Sequence, residues 1–197
     1  MTTWPTVMVT GHRPQHLPRD VHGWVRAELN RLAVKLRGEY GMTAGISGMA
    51  IGADLWWADA LVTNGIPLWA HIPFPQQSKP WPQAARNEWE RLLRVARKLT
   101  TYGGRYDVKF LHARNDGMLR EADAVIAVLL PGKTSGGTAS AAQKATALGL
   151  PIIHINPQAR ATTLRHPDRR NRQGTDGHIP PPSEANYRPV LQPEPCR

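Results

Sequence analysis

A chain of 197 residues, 41% hydrophobic and 20% charged, is long enough for one domain with a sizeable core, which excludes fibrous and wholly disordered classes. Its one cysteine, Cys196, excludes an internal disulfide framework and a cysteine-built metal site, so a cytoplasmic location is expected. The net charge of +10 admits a polyanionic partner, but it is dispersed: residues 158–197 hold seven Arg against four acids, so small phosphates are the first expectation and nucleic acid the less favoured one.

In chain order, "TVMVTG" (Thr6–Gly11) is predicted as the first strand. From Asp20 to Leu36, apolar residues recur at three- and four-residue spacing (Val21, Trp24, Val25, Leu29, Leu32, Leu36), which predicts an amphipathic helix. "TAGISGM" (Thr43–Met49) reads as a second strand running into a glycine turn, and "ADLWWADALVTNG" as a helix ended by Gly65. "IPLWAHIPF" (Ile66–Phe74) is nearly all apolar, as strands covered on both faces are. Three prolines between Pro75 and Pro82 predict a loop, then a helix over Gln83–Leu99. "DVKFL" (Asp107–Leu111) reads as a short strand, "ARNDGMLREA" as a helix, and "DAVIAVLL" as a central strand. A helix over Thr138–Leu148, stopped by Gly149, and a last strand "PIIHINP" complete the pattern.

Strands alternating with helices predict an α/β fold: a Rossmann-like, doubly wound, mainly parallel sheet with helices on both faces in a single domain, residues 1–157. Residues 158–197 are rich in proline and arginine, poor in apolar residues, and expected to be a disordered tail. No apolar run approaches the ~18 residues of a membrane span, and Trp4–Val9, broken by Pro5, is too short for a signal-peptide core. No membrane partner is expected.

Ligands of open parallel sheets bind at the carboxyl ends of the strands. Four such ends carry glycine or polar turns: "TGHRP" with Gly11, His12 and Arg13; "SGMAIGAD" with Ser47, Gly48, Met49, Gly52 and Asp54; "LHARN" with Arg114 and Asn115; and "PGKTSGGT" with Ser135, Gly136, Gly137 and Thr138. Glycine lets backbone approach a ligand, and the free N–H groups of a helix's first turn attract phosphate. Together they predict a nucleotide or sugar-phosphate pocket, with Lys133 as a further phosphate contact. "PFPQQSKPW" follows a buried strand end and is expected either to flap over the mouth of the pocket or to form a proline-stiffened connection that packs Trp81 on the surface. The dinucleotide fingerprint GxGxxG is missing after the first strand, and "SGMAIG" lacks the Lys-Ser/Thr of a P-loop. No cofactor is implied. His112 and Asp116 share a helix face, but no metal is expected.

These stretches resemble, over roughly Val7 to Pro157, the YspA/YpsA-like branch of the SLOG superfamily of Rossmann-like proteins, which also holds the Lonely Guy enzymes and the DNA-processing protein A family. "SGMAIGADLWWADAL" is similar to a segment of DNA-processing protein A, matching at Ser47, Gly48, Gly52 and Asp54, and "LHARNDGMLREADAVIAVLLPG" is similar to the Lonely Guy segment whose catalytic arginine falls on Arg114. The resemblance implies a phosphate cradle at Gly136, Gly137 and Thr138, a sugar-phosphate contact from Arg114, a ligand contact from Gln76 or Gln77 in the segment matching the branch's PFxxQ, and a homo-oligomer; "ADLWWADAL" also carries more apolar surface than one sheet face needs. It implies as well that Ala141 stands where Lonely Guy enzymes have a glutamate that assists N-glycosidic cleavage. The leading expectation is therefore a binding module for a nucleotide-like small molecule. The first alternative is a nucleoside monophosphate phosphoribohydrolase in which Arg114 is catalytic and Asp54 or Glu121 replaces the lost acid. The second is a single-stranded DNA-binding protein resembling DNA-processing protein A.

Overall fold

A computed structural model describes residues 2–166. The strands are β1 (Thr6–Gly11), β2 (Ala44–Ser47), β3 (Leu68–Ile72), β4 (Lys98–Thr101), β5 (Ala124–Val128), β6 (Ile152–Asn156) and β7 (Ala161–Arg165). The helices are α1 (His22–Tyr40), α2 (Ala53–Thr63), α3 (Gln83–Val95), α4 (Val108–Glu121) and α5 (Gly137–Ala147), with two single 3-10 turns at Pro14–His16 and Arg19–Val21. One sheet in the order β4-β3-β2-β1-β5-β6-β7 holds them together; β1 to β6 are parallel and β7 is antiparallel to β6. The chain winds outward from β1 to β4, then crosses to β5 on the other side of β1. That reversal opens a crevice at the carboxyl ends of β1 and β5.

Alternate residues of the strands feed two cores. Val7 and Val9 of β1 join α1, α2 and α3 through Leu29, Trp57 and Leu92, whereas Met8 between them joins α4 and α5 through Met118 and Ala145. Every residue of β5 is buried, as its apolar run predicts for the strand with helices on both sides. Helix α2 lies close on the sheet because two strand glycines admit it: a Cβ on Gly45 would lie 2.3 Å from Leu61 Cδ1, and one on Gly11 would lie 2.4 Å from Ala53 Cβ. With α1 and α3 on its flanks, α2 buries both Trp56 and Trp57. The apolar surface of "ADLWWADAL" is thus consumed inside the fold.

Three expectations are corrected. The helix begun at Gln83 stops at Val95, and Lys98–Thr101 forms edge strand β4, whose half-buried alternation and four-residue length give little hydrophobic signal. Asp107–Leu111 is not a strand but the start of α4: the Asp107 carboxylate caps it by accepting the Lys109 N–H at 2.9 Å. The sheet also runs past Pro157. The Asn156 side chain accepts the N–H groups of Gln158 and Ala159, both at 3.1 Å, and turns the chain into β7, so 158–166 belong to the fold. The remainder of the expected tail, 167–197, lies outside the described residues.

Candidate functional site

Strand β2 ends at Ser47, whose hydroxyl donates to the Asp54 carbonyl at 2.8 Å and accepts the Met49 N–H at 3.1 Å, so the strand end and the start of α2 are tied across the turn between them. Two residues of that turn take left-handed backbone: Met49 (φ 54°), with its side chain fully buried, and Gly52 (φ 105°). A Cβ on Gly52 would lie 2.8 Å from the carbonyl oxygen of His12, so this glycine is where the turns after β1 and β2 touch. Neither α2 nor α5 has a side-chain cap, and both begin from a glycine with positive φ, Gly52 and Gly136 (95°). At α2 the Leu55 N–H is taken by the Ala50 carbonyl at 3.2 Å and the first turn is buried, whereas α5 begins from exposed Gly136 and Gly137.

From α4, Arg114 crosses into the turn after β2. Its Nη1 donates to the Gly48 carbonyl at 2.7 Å and to Asp54 Oδ2 at 3.2 Å. Gln77 donates to the same carbonyl at 3.3 Å. Arg114 and Asp54 are both buried. Burial pushes the Asp54 carboxyl up from its ordinary value, and the Arg114 guanidinium opposes that shift. Arg114 Nε is buried with no hydrogen-bond partner among the described residues. Arg114 is therefore a brace across the turn, and a donor remains in reserve.

The cations that face outward are Arg13 and Lys133. His12 beside them is half-buried, its Nε2 is buried without a partner among the described residues, and burial first, then His16 and Lys133, lower its pKa. Arg13 is exposed, and its charge is felt by both Asp54 and Arg114. Lys133 is exposed in the loop before α5. Two exposed cations that can meet a phosphate, Arg13 and Lys133, thus flank the site, and Asp54, the acid that feels Arg13, is already engaged by Arg114.

Most of the sequence-predicted residues converge here, in different roles. Gly11 serves packing against Ala53 and Val128, Gly48 serves Arg114, and Ser47 serves the turn. Ser135, Gly136 and Gly137 are exposed and Thr138 half-buried at the start of α5. Gln76 is exposed, and Gln77 is the residue that reaches the site. Asn115 is half-buried and makes no side-chain hydrogen bond among the described residues. Asp116 pairs with Lys144 at 2.5 Å, and no group of metal-binding side chains occurs among the described residues. Glu121 does not reach the pocket: its carbonyl accepts from Thr6 Oγ at the amino end of β1, and its carboxylate meets Lys98 at 2.6 Å. Seven residues separate it from Arg114, roughly 10 Å along the helix toward the opposite edge of the sheet. Ala141 is buried in α5, so no acid takes the place of the missing glutamate.

One group was not singled out from the sequence. Fully buried His71 of β3 shares a 2.9 Å hydrogen bond, through Nδ1, with the Tyr102 hydroxyl, and its Nε2 lies 3.7 Å from Glu121 Oε2. The phenol occupies a notch in α4 at Gly117, where a Cβ would lie 1.7 Å from its oxygen, and it acts electrostatically on Arg114 one turn away. The one available signal was a glycine inside an otherwise helical stretch, "NDGML".

Neither a protein-family model nor a curated protein sequence matches the chain. Among solved structures it is similar to DNA processing protein A from Streptococcus pneumoniae (TM-score 0.58, 19% identity, covering 77% of this chain and 50% of that one). It is also similar to DNA processing protein A from Helicobacter pylori, a structure that describes a single-stranded DNA binding mode (TM-score 0.55, 18% identity, 77% of this chain and 65% of that one). The likeness is one of fold, and the chain spans half to about two thirds of the length of these neighbours.

Proposed function

We propose that the chain binds nucleotide phosphate at the carboxyl edge of its sheet and that the ligand is single-stranded nucleic acid. The observation that carries this is the pair of exposed cations Arg13 and Lys133 at the turn after β1 and before the uncapped first turn of α5, where the neighbouring acid Asp54 is already paired with Arg114. The net charge of +10 and the single-stranded DNA binding of the Helicobacter pylori neighbour support a strand over a free nucleotide. Binding runs through phosphates. Trp4, Trp56, Trp57 and Trp89 are buried and Trp24, Trp69 and Trp81 half-buried, so none is an exposed platform for stacking bases.

A second reading, a sensor or sequestering module for a free nucleotide, is favoured by one observation. The cradle is short and glycine-lined, and Arg114 keeps an unused buried donor at its base. Hydrolysis is the weakest reading, because Ala141 is buried, Glu121 lies at the other edge and Asp54 is held by Arg114.

Fluorescence anisotropy of a labelled oligothymidylate, with unlabelled AMP, ADP-ribose and NAD as competitors, separates the first two readings. Saturable binding that weakens with salt and resists mononucleotide competition supports the strand. Absence of binding at about 100 µM protein in low salt, beyond the range of ordinary non-specific affinity, would sink it. Tight binding of a free nucleotide in place of the strand selects the second reading.

A further inference from the structure

On the face of the sheet covered by α4 and α5, the β6–β7 end carries α5 alone, and between that helix and the two strands runs a groove of about 730 Å³. Its ionisable lining is Lys133, His154, Arg165 and His166, with no Asp or Glu. Lys133 and Arg165 form no ion pair among the described residues, which distinguishes them from Lys98, Lys144 and Arg91, each held by a carboxylate. Unshielded cations around a groove without acids make an anion-attracting channel.

The groove has a direction. Lys133 and Thr134 belong both to its mouth and to the glycine loop before α5, so it is continuous with the edge where nucleotide phosphate is proposed to bind. From there it follows β6 down the sheet: Asn156 pairs with Ala161 near the mouth, and Ile152 pairs with Arg165 at the far end. Four residue steps of strand at ~3.3 Å each put the Arg165 end roughly 13 Å from the mouth.

We propose that this groove is a second binding surface, which takes the sugar-phosphate chain of a single-stranded nucleic acid as it leaves the nucleotide held at the strand ends. The inference rests on the strand-binding reading above and extends it from one nucleotide to a short run of them. Its lining holds no Trp, Tyr or Phe, so it grips phosphate and tolerates any base sequence. The chain's own segment after His166 carries five Arg against four acids and offers no complementary charge.

The test uses the full chain and labelled oligothymidylates of two, four, six and ten nucleotides across a salt series. Affinity should rise with length beyond the dinucleotide and then level off once the groove is filled. Arg165→Glu should leave dinucleotide binding within twofold, remove most of the length gain, and lower the slope of log K against log salt by about one. Arg165→Ala, milder on the exposed β7 edge, should do the same in part, with circular dichroism checking that both variants fold. Dinucleotide binding without a length gain, or a length gain untouched in Arg165→Glu, overturns the groove alone. Failure of every length to bind overturns the strand-binding reading and the groove with it. A polyglutamate peptide that displaces the ten-mer as readily as unlabelled oligothymidylate also overturns the assignment, in favour of an acidic peptide.

Discussion

Arg114 Nη1 sits 2.7 Å from the carbonyl oxygen of Gly48, in space that a side chain at position 48 would fill: a methyl there would lie 1.6 Å from that nitrogen. The turn after β2 and helix α4 are thus matched through the absence of one carbon atom. Gly48→Ala should expel the guanidinium and leave the Asp54 carboxylate buried without its partner, costing about 3 kcal/mol, the lower end of the range for breaking a buried pair. Urea denaturation measures it, and a loss below about 0.5 kcal/mol would show that the pair relocates without strain.

A second glycine makes a sharper comparison. Gly117→Ala puts a methyl 1.7 Å from the Tyr102 hydroxyl oxygen, and although alanine favours helix by ~1 kcal/mol, the clash should win and destabilise the fold by about 1–3 kcal/mol. Gly38, inside α1 with nothing within 4 Å of its would-be Cβ, should respond in the opposite sense, Gly38→Ala adding about 0.5–1 kcal/mol. Thermal denaturation of the two variants side by side gives the signs.

The Glu121 carboxyl is held down at about 2, from an ordinary 4.5, by His71 and Lys98. His71 Nε2 lies 3.7 Å from the carboxylate, beyond hydrogen-bond reach, whereas Lys98 at 2.6 Å donates a hydrogen bond. A depressed folded-state value means stabilisation that is complete above pH 4.5 and lost as pH falls from 4.5 towards 2. Glu121→Gln should therefore be less stable than the parent by about 1–2 kcal/mol at pH 7, with allowance for screening of a part-exposed pair. The two should converge only as pH falls to about 2 and below. A gap independent of pH would rule out this linkage.

At the proposed ligand edge, charge removal should act through phosphate. Arg13→Ala and Lys133→Ala should each weaken oligothymidylate binding several-fold and lower the salt slope by about one, with no change in base preference. Both residues are exposed, so their denaturation midpoints should stay within about 0.5 kcal/mol of the parent. Equal binding by parent and variants at 50 mM and 200 mM salt would place the ligand elsewhere.

Edge strands and cross-chain contacts were the parts hardest to read in advance. "KLTT" and "ATTLR" pair at the two borders of the sheet, where one side faces water and little apolar area is buried, so neither carries the hydrophobic run that made "DAVIAVLL" plain. Gln76 and Gln77 differ by a single step along a proline-stiffened loop. Which of them turns inward depends on the path of that loop past the Gly48 carbonyl.

The sequence by itself determined the alternating α/β order, the buried central strands and the glycine turns at their carboxyl ends, because hydrophobic period and backbone freedom are properties of a few neighbouring residues. Only the tertiary structure decided what those turns hold. Arg114 and Asp54 are sixty positions apart, and Tyr102 meets His71 across two strands. It also separated the inward brace, Arg114 on Asp54, from the outward cations Arg13 and Lys133. Whether a charge is engaged or free depends on which groups the finished sheet brings within a few ångströms, and no local pattern in the chain records that distance.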